Sequence, residues 1–214
     1  MPNHCENTLI VRGTPSRVRD FCRDHYRQPS NWDSGSVEEH KTLLDFSKSV
    51  PYPAVEDRQV WATDSFSSGW YNWHCAHWGT KWNAYDIAPR DFPTVLAEIQ
   101  GQEHAPIQQT CGLPQKPVND VRMKYHFTTA WSPPTNWVQS MCGEYPDLTF
   151  TLRFMETGCD FMGWQRCEDG IETDLEHYTI SETIQDWETF AETSEWDAVY
   201  EEIQKFLKES SERA

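Results

Sequence analysis

Two segments of this chain alternate apolar and polar side chains with a period of two residues. In 121–128 the apolar residues occupy the odd positions, and in 148–154 leucine and phenylalanine occupy the even ones. Successive side chains of a β-strand point to opposite faces of the sheet, so this alternation predicts two strands, each with one buried face. A chain with such strands needs a sheet that is packed on one side, which excludes a purely helical fold.

Turn residues connect these strands to further elements. Residues 156–158 predict a hairpin turn into a return strand over 159–167, and Asp169-Gly170 predicts another hairpin turn. The other predicted elements are strands over 7–12 and 43–50, and helices over 15–26, 70–77 and 91–100 and after Pro133-Pro134. The order β-α-β, then β-α-β-β, predicts an α+β fold in which an antiparallel sheet carries helices on one face.

Negative charge is concentrated at the carboxy-terminal end of the chain. The formal net charge of the 214 residues is −16, and residues 168–214 contribute −12 of it, from 15 acids against Lys205, Lys208 and Arg213. Such a field repels nucleic acid and favours a basic partner, although acidic faces that only keep a protein soluble are common. We therefore expect no direct nucleic-acid binding.

The carboxy-terminal segment also carries a helical stripe. The apolar residues of this stripe are Trp196, Val199, Tyr200, Ile203, Phe206 and Leu207. They recur at the spacing of one helix face, so we expect a helix over about 195–208 that docks on the core and turns its acids outward. The carboxylates that we expect to form a partner-binding surface are Glu192, Glu195, Asp197, Glu201 and Glu202.

Four groups of residues carry a resemblance to a known family. They are Met1-Pro2-Asn3 with Cys5 and Asn7, the run Trp78–Ala84, the run Thr129–Pro134, and the set Glu156, Gly158, Phe161 and Gly163. Over residues 1 to about 170 the chain resembles the YubB-like proteins of phages and plasmids. It departs from their pattern at His4 and in the acidic tail.

The resemblance implies a ferredoxin-like fold and carriage by a mobile element, and it implies no catalytic residue set. We accordingly expect two parts: a YubB-like ferredoxin-like domain over 1–170, and an acidic extension over 171–214 whose amphipathic helix packs on the core. We expect a cytoplasmic protein, because the amino terminus has no signal-peptide pattern and no apolar run is long enough to span a membrane.

The tryptophan-rich motifs are the candidate small-molecule site. The residues that we expect to contact a ligand are Trp78, Lys81, Trp82, Asn83, Asp86 and Trp131. Their rings could form a wall for a planar ligand, with the lysine for a phosphate or carboxylate and the amide and carboxylate for hydrogen bonds. The alternative is structural: the rings fill the core, and the lysine pairs with a neighbouring acid.

Other chemistry has weaker support in the sequence. His74, Cys75 and His77 lie within one predicted helix, but no further ligand completes a zinc pattern, so we predict no metal. Seven cysteines with irregular spacing indicate reduced thiols and no disulfide framework. No P-loop, dinucleotide-binding or hydrolase motif is present, so we assign no catalytic residues and expect no cofactor.

Two functions of different classes remain. The leading hypothesis is a non-catalytic accessory protein of a phage or plasmid that binds and inhibits a host protein with a basic surface, such as a defence or nucleic-acid-handling factor. The rival is a protein that binds, sequesters or acts on a nucleotide-like small molecule at the tryptophan motifs. The first rests on the acidic tail and the resemblance, and the second rests on the clustered aromatic residues.

Overall fold

The structure of the protein is a computed structural model. It describes residues 3–26, 44–53, 69–87, 97, 99–102, 120–184 and 196–213, with side chains in the last range from residue 201 onward. Within these residues the chain forms one antiparallel sheet with helices on both sides. The helices come in two sets, and each set covers its own face of the sheet.

In the described part of the chain, five strands form the sheet. They are β1 (His4–Gly13), β2 (Val121–Ala130), β3 (Thr149–Glu156), β4 (Phe161–Glu168) and β5 (Ile171–Thr179). Their order across the sheet is β2-β1-β3-β4-β5, and every neighbouring pair is antiparallel. The alternating segments are therefore confirmed as β2 and β3, and Asp169-Gly170 forms the predicted turn, with both residues at positive φ. β5 lies beyond residue 170 and pairs with β4.

The central strand, β1, sets the two faces of the sheet. Leu9 lies opposite Tyr125 of β2 and Leu152 of β3, and all three side chains are buried. The face that carries them is called the front face here. The next residues along the strands, such as Thr8 and Lys124, point to the back face.

Within the described residues, five α-helices with defined bounds accompany the sheet. They are α1 (Pro15–His25), α2 (Gly69–His77), α3 (Thr135–Glu144), the short α4 (Ile180–Thr183) and α5 (Trp196–Arg213). Proline at the first position of α1 supplies the φ angle that a helix needs and lacks only an N–H that would have no partner there. Within the described residues, none of these helices is both long and apolar enough to cross a membrane.

The front face carries the larger core. α1 and α3 pack on it, and Phe21 of α1 lies within 6.4 Å, ring centre to ring centre, of Tyr125, Trp137 and Phe150. Trp137 and Phe150 are fully buried. Because burying one such side chain contributes about 1.5–3 kcal/mol, this aromatic cluster dominates the stability of the fold. The expected antiparallel sheet with helices on one face, plus an appended carboxy-terminal helix, is thus confirmed, with α1 and α3 on the front face.

The carboxy-terminal helix packs on the other face. α5 places Ile203 and Leu207, both fully buried, against Met155 of β3 and Met162 of β4. Among the described side chains, those of Ile203 and Leu207 therefore lie between α5 and the sheet. The side chains of Trp196, Val199 and Tyr200 of the predicted stripe are not among those described.

One predicted strand is wrong. Within 43–50 the chain forms a 3-10 turn over Phe46–Lys48, and Leu44 and Phe46 are buried without pairing in the sheet. The Asp45 carboxylate accepts hydrogen bonds from the backbone N–H and the hydroxyl of Ser47, which closes the turn. Of the predicted helix over 91–100, only residues 97, 99 and 100 are described; they are helical, and Ile99 is buried.

Candidate functional site

The two tryptophan motifs meet at one corner of the fold. The Ser132 hydroxyl donates to the Gly79 carbonyl at 2.7 Å, and the Thr80 hydroxyl donates to the Ala130 carbonyl at 3.0 Å. Gly79 has a φ of 86°, and a Cβ there would lie 3.0 Å from the Pro133 carbonyl oxygen. A glycine is therefore required at this contact, both for its backbone conformation and for the close approach of the two segments.

Two of the predicted ligand residues are held inside the protein. Trp78 is 3% exposed, donates from its indole nitrogen to the Val50 carbonyl at 2.9 Å, and stacks on His74 with ring centres 3.9 Å apart. The Asn83 amide donates to the Asp45 carboxylate at 2.6 Å. These contacts give both residues a structural role, in agreement with the structural alternative considered above.

Three other predicted ligand residues lie near or at the surface. The Lys81 ammonium sits 5.2 Å from the ring centre of Trp82 and 5.7 Å from that of Tyr71, within the range of cation–π attraction. Trp82 is 38% exposed and Trp131 is 43% exposed. Trp131 has a φ of 73°, and its backbone N–H donates to the Asn3 carbonyl at 3.0 Å. A left-handed conformation is uncommon for a large side chain and is a feature of functional sites.

The sixth predicted residue, Asp86, belongs to a groove on another part of the surface. Tyr85 exchanges two backbone hydrogen bonds with Thr128 at the edge of β2, and Asp86 follows with a φ of 53°. The groove has a volume of about 130 Å³. Its lining residues are Glu6, Asn7, Thr8, Asp86, His126, Phe127, Thr128 and Gln204.

The sequence did not predict this groove. It forms where β1, β2 and α5 meet, and the residues of β1 and β2 that line it are more than 100 positions apart. The polar even positions of 121–128 were the available signal, because they mark a sheet face that is not filled with apolar side chains. Periodicity could not predict which part of that face a helix would border.

The predicted partner-binding residues are only partly within the described structure. Glu192 and Glu195 lie outside it, and Asp197 belongs to α5 but its side chain is not among those described. Glu201 and Glu202 are exposed on α5.

Further carboxylates, which the prediction did not include, lie beside Glu202. Phe206 of α5 meets Tyr178 of β5 with ring centres 5.1 Å apart, so this side of the helix faces β5. Glu202 and Glu209 lie four residues before and three residues after Phe206, on the same side of the helix.

The last strand supplies the rest of this surface. Asp174 and Glu176 of β5 pair in register with Arg166 and Trp164 and share the back face with Tyr178. We call the set Asp174, Glu176, Glu202 and Glu209 the acidic surface. Residues 168–184 contain six carboxylates and no lysine or arginine, so the potential along β5 is strongly negative.

β5 forms an edge of the described sheet. It pairs with β4 on one side, and all nine of its residues are exposed or half-buried, with Ile171 65% and Leu175 42% exposed. An edge strand presents unpaired backbone N–H and C=O groups along its outer side. No strand among the described residues pairs with this outer side, so it can accept a strand from a partner.

The histidines and thiols have structural contacts. His74 and His77 place their Nδ1 atoms 2.9 Å from the carbonyls of Lys81 and Trp73. No group of three or more potential ligands that could hold a metal occurs among the described residues. Burial raises the pKa of the Cys5 thiol, and hydrogen bonding with the Glu156 carboxylate raises the pKa of the exposed Cys159 thiol, so both are poor nucleophiles.

Part of the chain is similar to known proteins. Residues 115–197 match the family model of the ferredoxin-like domain in Api92-like protein, and this range contains β2 to β5. A solved structure, the crystal structure of a protein api92 from Yersinia pseudotuberculosis, is similar at 8% sequence identity. That similarity covers 83% of this chain and 98% of that chain, with a TM-score of 0.37. Among curated proteins, no match was found.

The family match supports the ferredoxin-like part of the expected resemblance. It names Api92-like proteins, and the finer identification as a YubB-like protein stays a prediction.

Proposed function

We propose that this protein is a non-catalytic binding protein that captures a basic host protein through its acidic surface. The single observation that carries the proposal is the position of this surface beside an exposed edge strand. The resemblance to YubB-like proteins motivates the further step, that the chain belongs to a phage or plasmid and that capture inhibits the host protein.

Charge gives the surface its selectivity. Asp174, Glu176 and Glu202 make no ion pair with another described residue, while Glu209 pairs with Arg213 at 3.2 Å. Unpaired carboxylates on one surface attract a basic partner, raise its rate of association and repel acidic competitors.

The edge strand gives the surface a geometry for binding. A partner strand added to β5 would gain backbone hydrogen bonds, and its alternate side chains would point to the back face, beside Asp174 and Glu176. We therefore expect the partner to present lysine or arginine at every second residue of an exposed strand. The half-exposed Leu175 on the front face would contact the intervening side chains.

A second function retains support from the tryptophan corner. Trp82, Trp131 and Lys81 could contact a planar ligand from the surface, whereas Trp78 and Asn83 are committed to internal contacts. Because only these three side chains remain at the surface, we expect a ligand to lie against them in a shallow site and not to be enclosed. Tryptophan fluorescence against mono-, di- and cyclic nucleotides tests it, and a flat response would exclude such a ligand there.

The principal experiment is affinity capture from a bacterial lysate with charge-reversed variants. Glu176→Lys and Glu202→Lys are each compared with Glu144→Lys, which reverses an exposed carboxylate of α3 and changes the net charge equally. We expect the two acidic-surface variants to lose a basic protein that the wild type and Glu144→Lys retain. Capture should also weaken at high salt, because exposed charges are screened.

Two results would contradict the proposal. Equal loss in all three variants would show that only the overall charge matters. Retention by both acidic-surface variants, or by a chain that lacks residues 186–214 and also carries Glu176→Lys, would exclude this surface as the binding site.

A further inference from the structure

The back face of the sheet carries a group of cations on the side away from β5. Arg12 of β1 lies directly opposite Arg122 of β2, and Lys124 follows two residues further along β2 on the same face. Arg153 of β3 lies opposite Thr8 of β1, and its Nε donates to the Ser211 hydroxyl of α5 at 2.8 Å. These strands and α5 thus bring positive charges together in a chain whose net charge is −16.

The charges within this group are incompletely neutralised. Partial burial lowers the pKa of Lys124, and the nearby positive charges of Arg153, Arg122 and Lys208 lower it further. Asp120 pairs with Arg12 at 3.4 Å and Glu212 with Arg153 at 3.6 Å. Within the described part of the chain, Lys124 has no carboxylate partner. Like charges held this close raise the free energy of the fold, and a bound anion would relieve that cost.

The groove lies at the other end of the same face. His126, which lines it, comes two residues after Lys124 on β2, about 7 Å further along the strand, and lies in the same row of the sheet as Thr8 and Arg153. Gln204 also lines the groove, and Lys208 is one helical turn further along α5. The helix therefore borders both the groove and the cations, which form one continuous surface.

The two ends of this surface have opposite chemistry. Glu6 and Asp86 place carboxylates at the groove, where Thr8 and His126 add hydrogen-bonding groups that contact each other at 3.0 Å. Carboxylates accept hydrogen bonds from sugar hydroxyls, as the acidic residue of dinucleotide-binding sites does with ribose. Lysine and arginine bind phosphate.

We propose that this surface binds a ribose phosphate, with the sugar in the groove beside Glu6 and Asp86 and the phosphate on Lys124 and Arg122. The groove volume of about 130 Å³ suits a pentose, and a base attached to that sugar would lie outside the groove. This site is independent of the proposed partner capture, since Gln204 and Lys208 lie on a different side of α5 from Phe206, Glu202 and Glu209.

Isothermal titration calorimetry at low salt tests the site with three probes: ribose 5-phosphate, ADP and inorganic pyrophosphate. We expect ribose 5-phosphate and ADP to bind, and Lys124→Gln to weaken both by about tenfold or more, the loss typical of a charge-assisted contact. Lys205→Gln removes the same charge from an exposed position of α5 and should leave both affinities within about twofold.

The sugar contact has a separate test. Glu6 is exposed, so Glu6→Gln should leave the fold intact, which a melting curve checks. The variant removes a negative charge and therefore cannot weaken pyrophosphate electrostatically. Weaker binding of ribose 5-phosphate together with unchanged or tighter binding of pyrophosphate would support a sugar in the groove.

The proposal is overturned if ribose 5-phosphate does not bind, or if Lys124→Gln and Lys205→Gln weaken binding equally. It is also overturned if Glu6→Gln leaves the affinity for ribose 5-phosphate unchanged. If ADP binds more tightly than ribose 5-phosphate, the site exists and its ligand is a nucleotide. If the two bind with equal affinity, the site exists and its ligand is a sugar phosphate.

Discussion

The two faces of this sheet are built from the same strands and differ in almost every other respect. On the front face, α1 and α3 bury a continuous cluster in which Phe21, Trp137 and Phe150 are each fully buried. On the back face, one helix covers β3 and β4 with a small cluster, and β1 and β2 present charged and polar side chains. Because strand residues alternate between faces, one face can stabilise the fold while the other is free to bind.

The largest loss of stability is expected from the front face. Trp137 is fully buried, its ring centre lies 4.5 Å from that of Phe46, and its indole nitrogen donates to the Ser49 hydroxyl at 3.0 Å. Trp137→Ala removes the ring and leaves a cavity, so we expect the free energy of unfolding to fall by about 3–5 kcal/mol. Urea denaturation measures it, and a loss under about 1 kcal/mol would contradict the assigned importance of this core.

A smaller loss is expected on the back face. Ile203 is fully buried against Met155 and Met162, but its cluster is small and can close around a cavity. Ile203→Ala should cost about 2–3 kcal/mol, near the lower end of the range for such truncations. An unchanged melting temperature would show that α5 does not contribute to the fold and that its apolar stripe has another partner.

Two glycine-to-alanine substitutions should change stability in opposite directions, because one glycine is closely surrounded and the other has open space beside it. A Cβ at Gly163 of β4 would lie 2.2 Å from the Glu176 carbonyl oxygen and 2.6 Å from the Phe154 ring, so Gly163→Ala should cost about 1–3 kcal/mol. At Gly143 in α3 a Cβ would meet nothing within 4 Å, and Gly143→Ala should stabilise the protein by about 0.5–1 kcal/mol. Thermal denaturation of both variants should give shifts of opposite sign.

The smallest predicted effect is a pH dependence from the front face. Burial lowers the pKa of His25, whose Nδ1 lies 2.9 Å from the Phe21 carbonyl and whose Nε2 lies 3.2 Å from the Ser49 hydroxyl. The unfolded chain then binds more protons than the folded one below about pH 6.5, so the free energy of unfolding should fall as the pH is lowered from there.

Urea denaturation at several values between about pH 7.5 and 5.5 measures this slope. His25→Gln should reduce it, with a remainder from His74, whose pKa burial also lowers. If the free energy of unfolding changes with pH as steeply in His25→Gln as in the wild type, groups other than His25 cause the pH dependence.

Local pattern was sufficient for the strands and helices whose residues repeat with one period. The alternation in 121–128 predicted β2, and the proline at the first position of α1 and the two prolines before α3 marked the starts of these helices. The strand predicted over 43–50 failed because its alternating apolar residues are buried by distant contacts. Asn83, nearly 40 positions away, accepts the backbone N–H of Phe46 at 2.9 Å, and no local pattern reveals that partner.

At the candidate sites, too, the local sequence does not predict which side chains are buried or which residues lie close together. Trp78 and Trp82 stand four residues apart in one motif, yet one is 3% exposed and the other 38%. Residue type alone could not separate them, because burial is decided by the segments packed around the motif. The cations of the back face were visible as residues, but their proximity depends on the register of β1 against β2 and β3.

The exposed edge of β5 has a consequence for the solubility of the protein. A nine-residue edge strand with Ile171 and Leu175 exposed is a template on which further copies of the chain could stack and aggregate. The carboxylates of Glu172, Asp174 and Glu176 oppose this, because two copies that approach edge to edge bring like charges together.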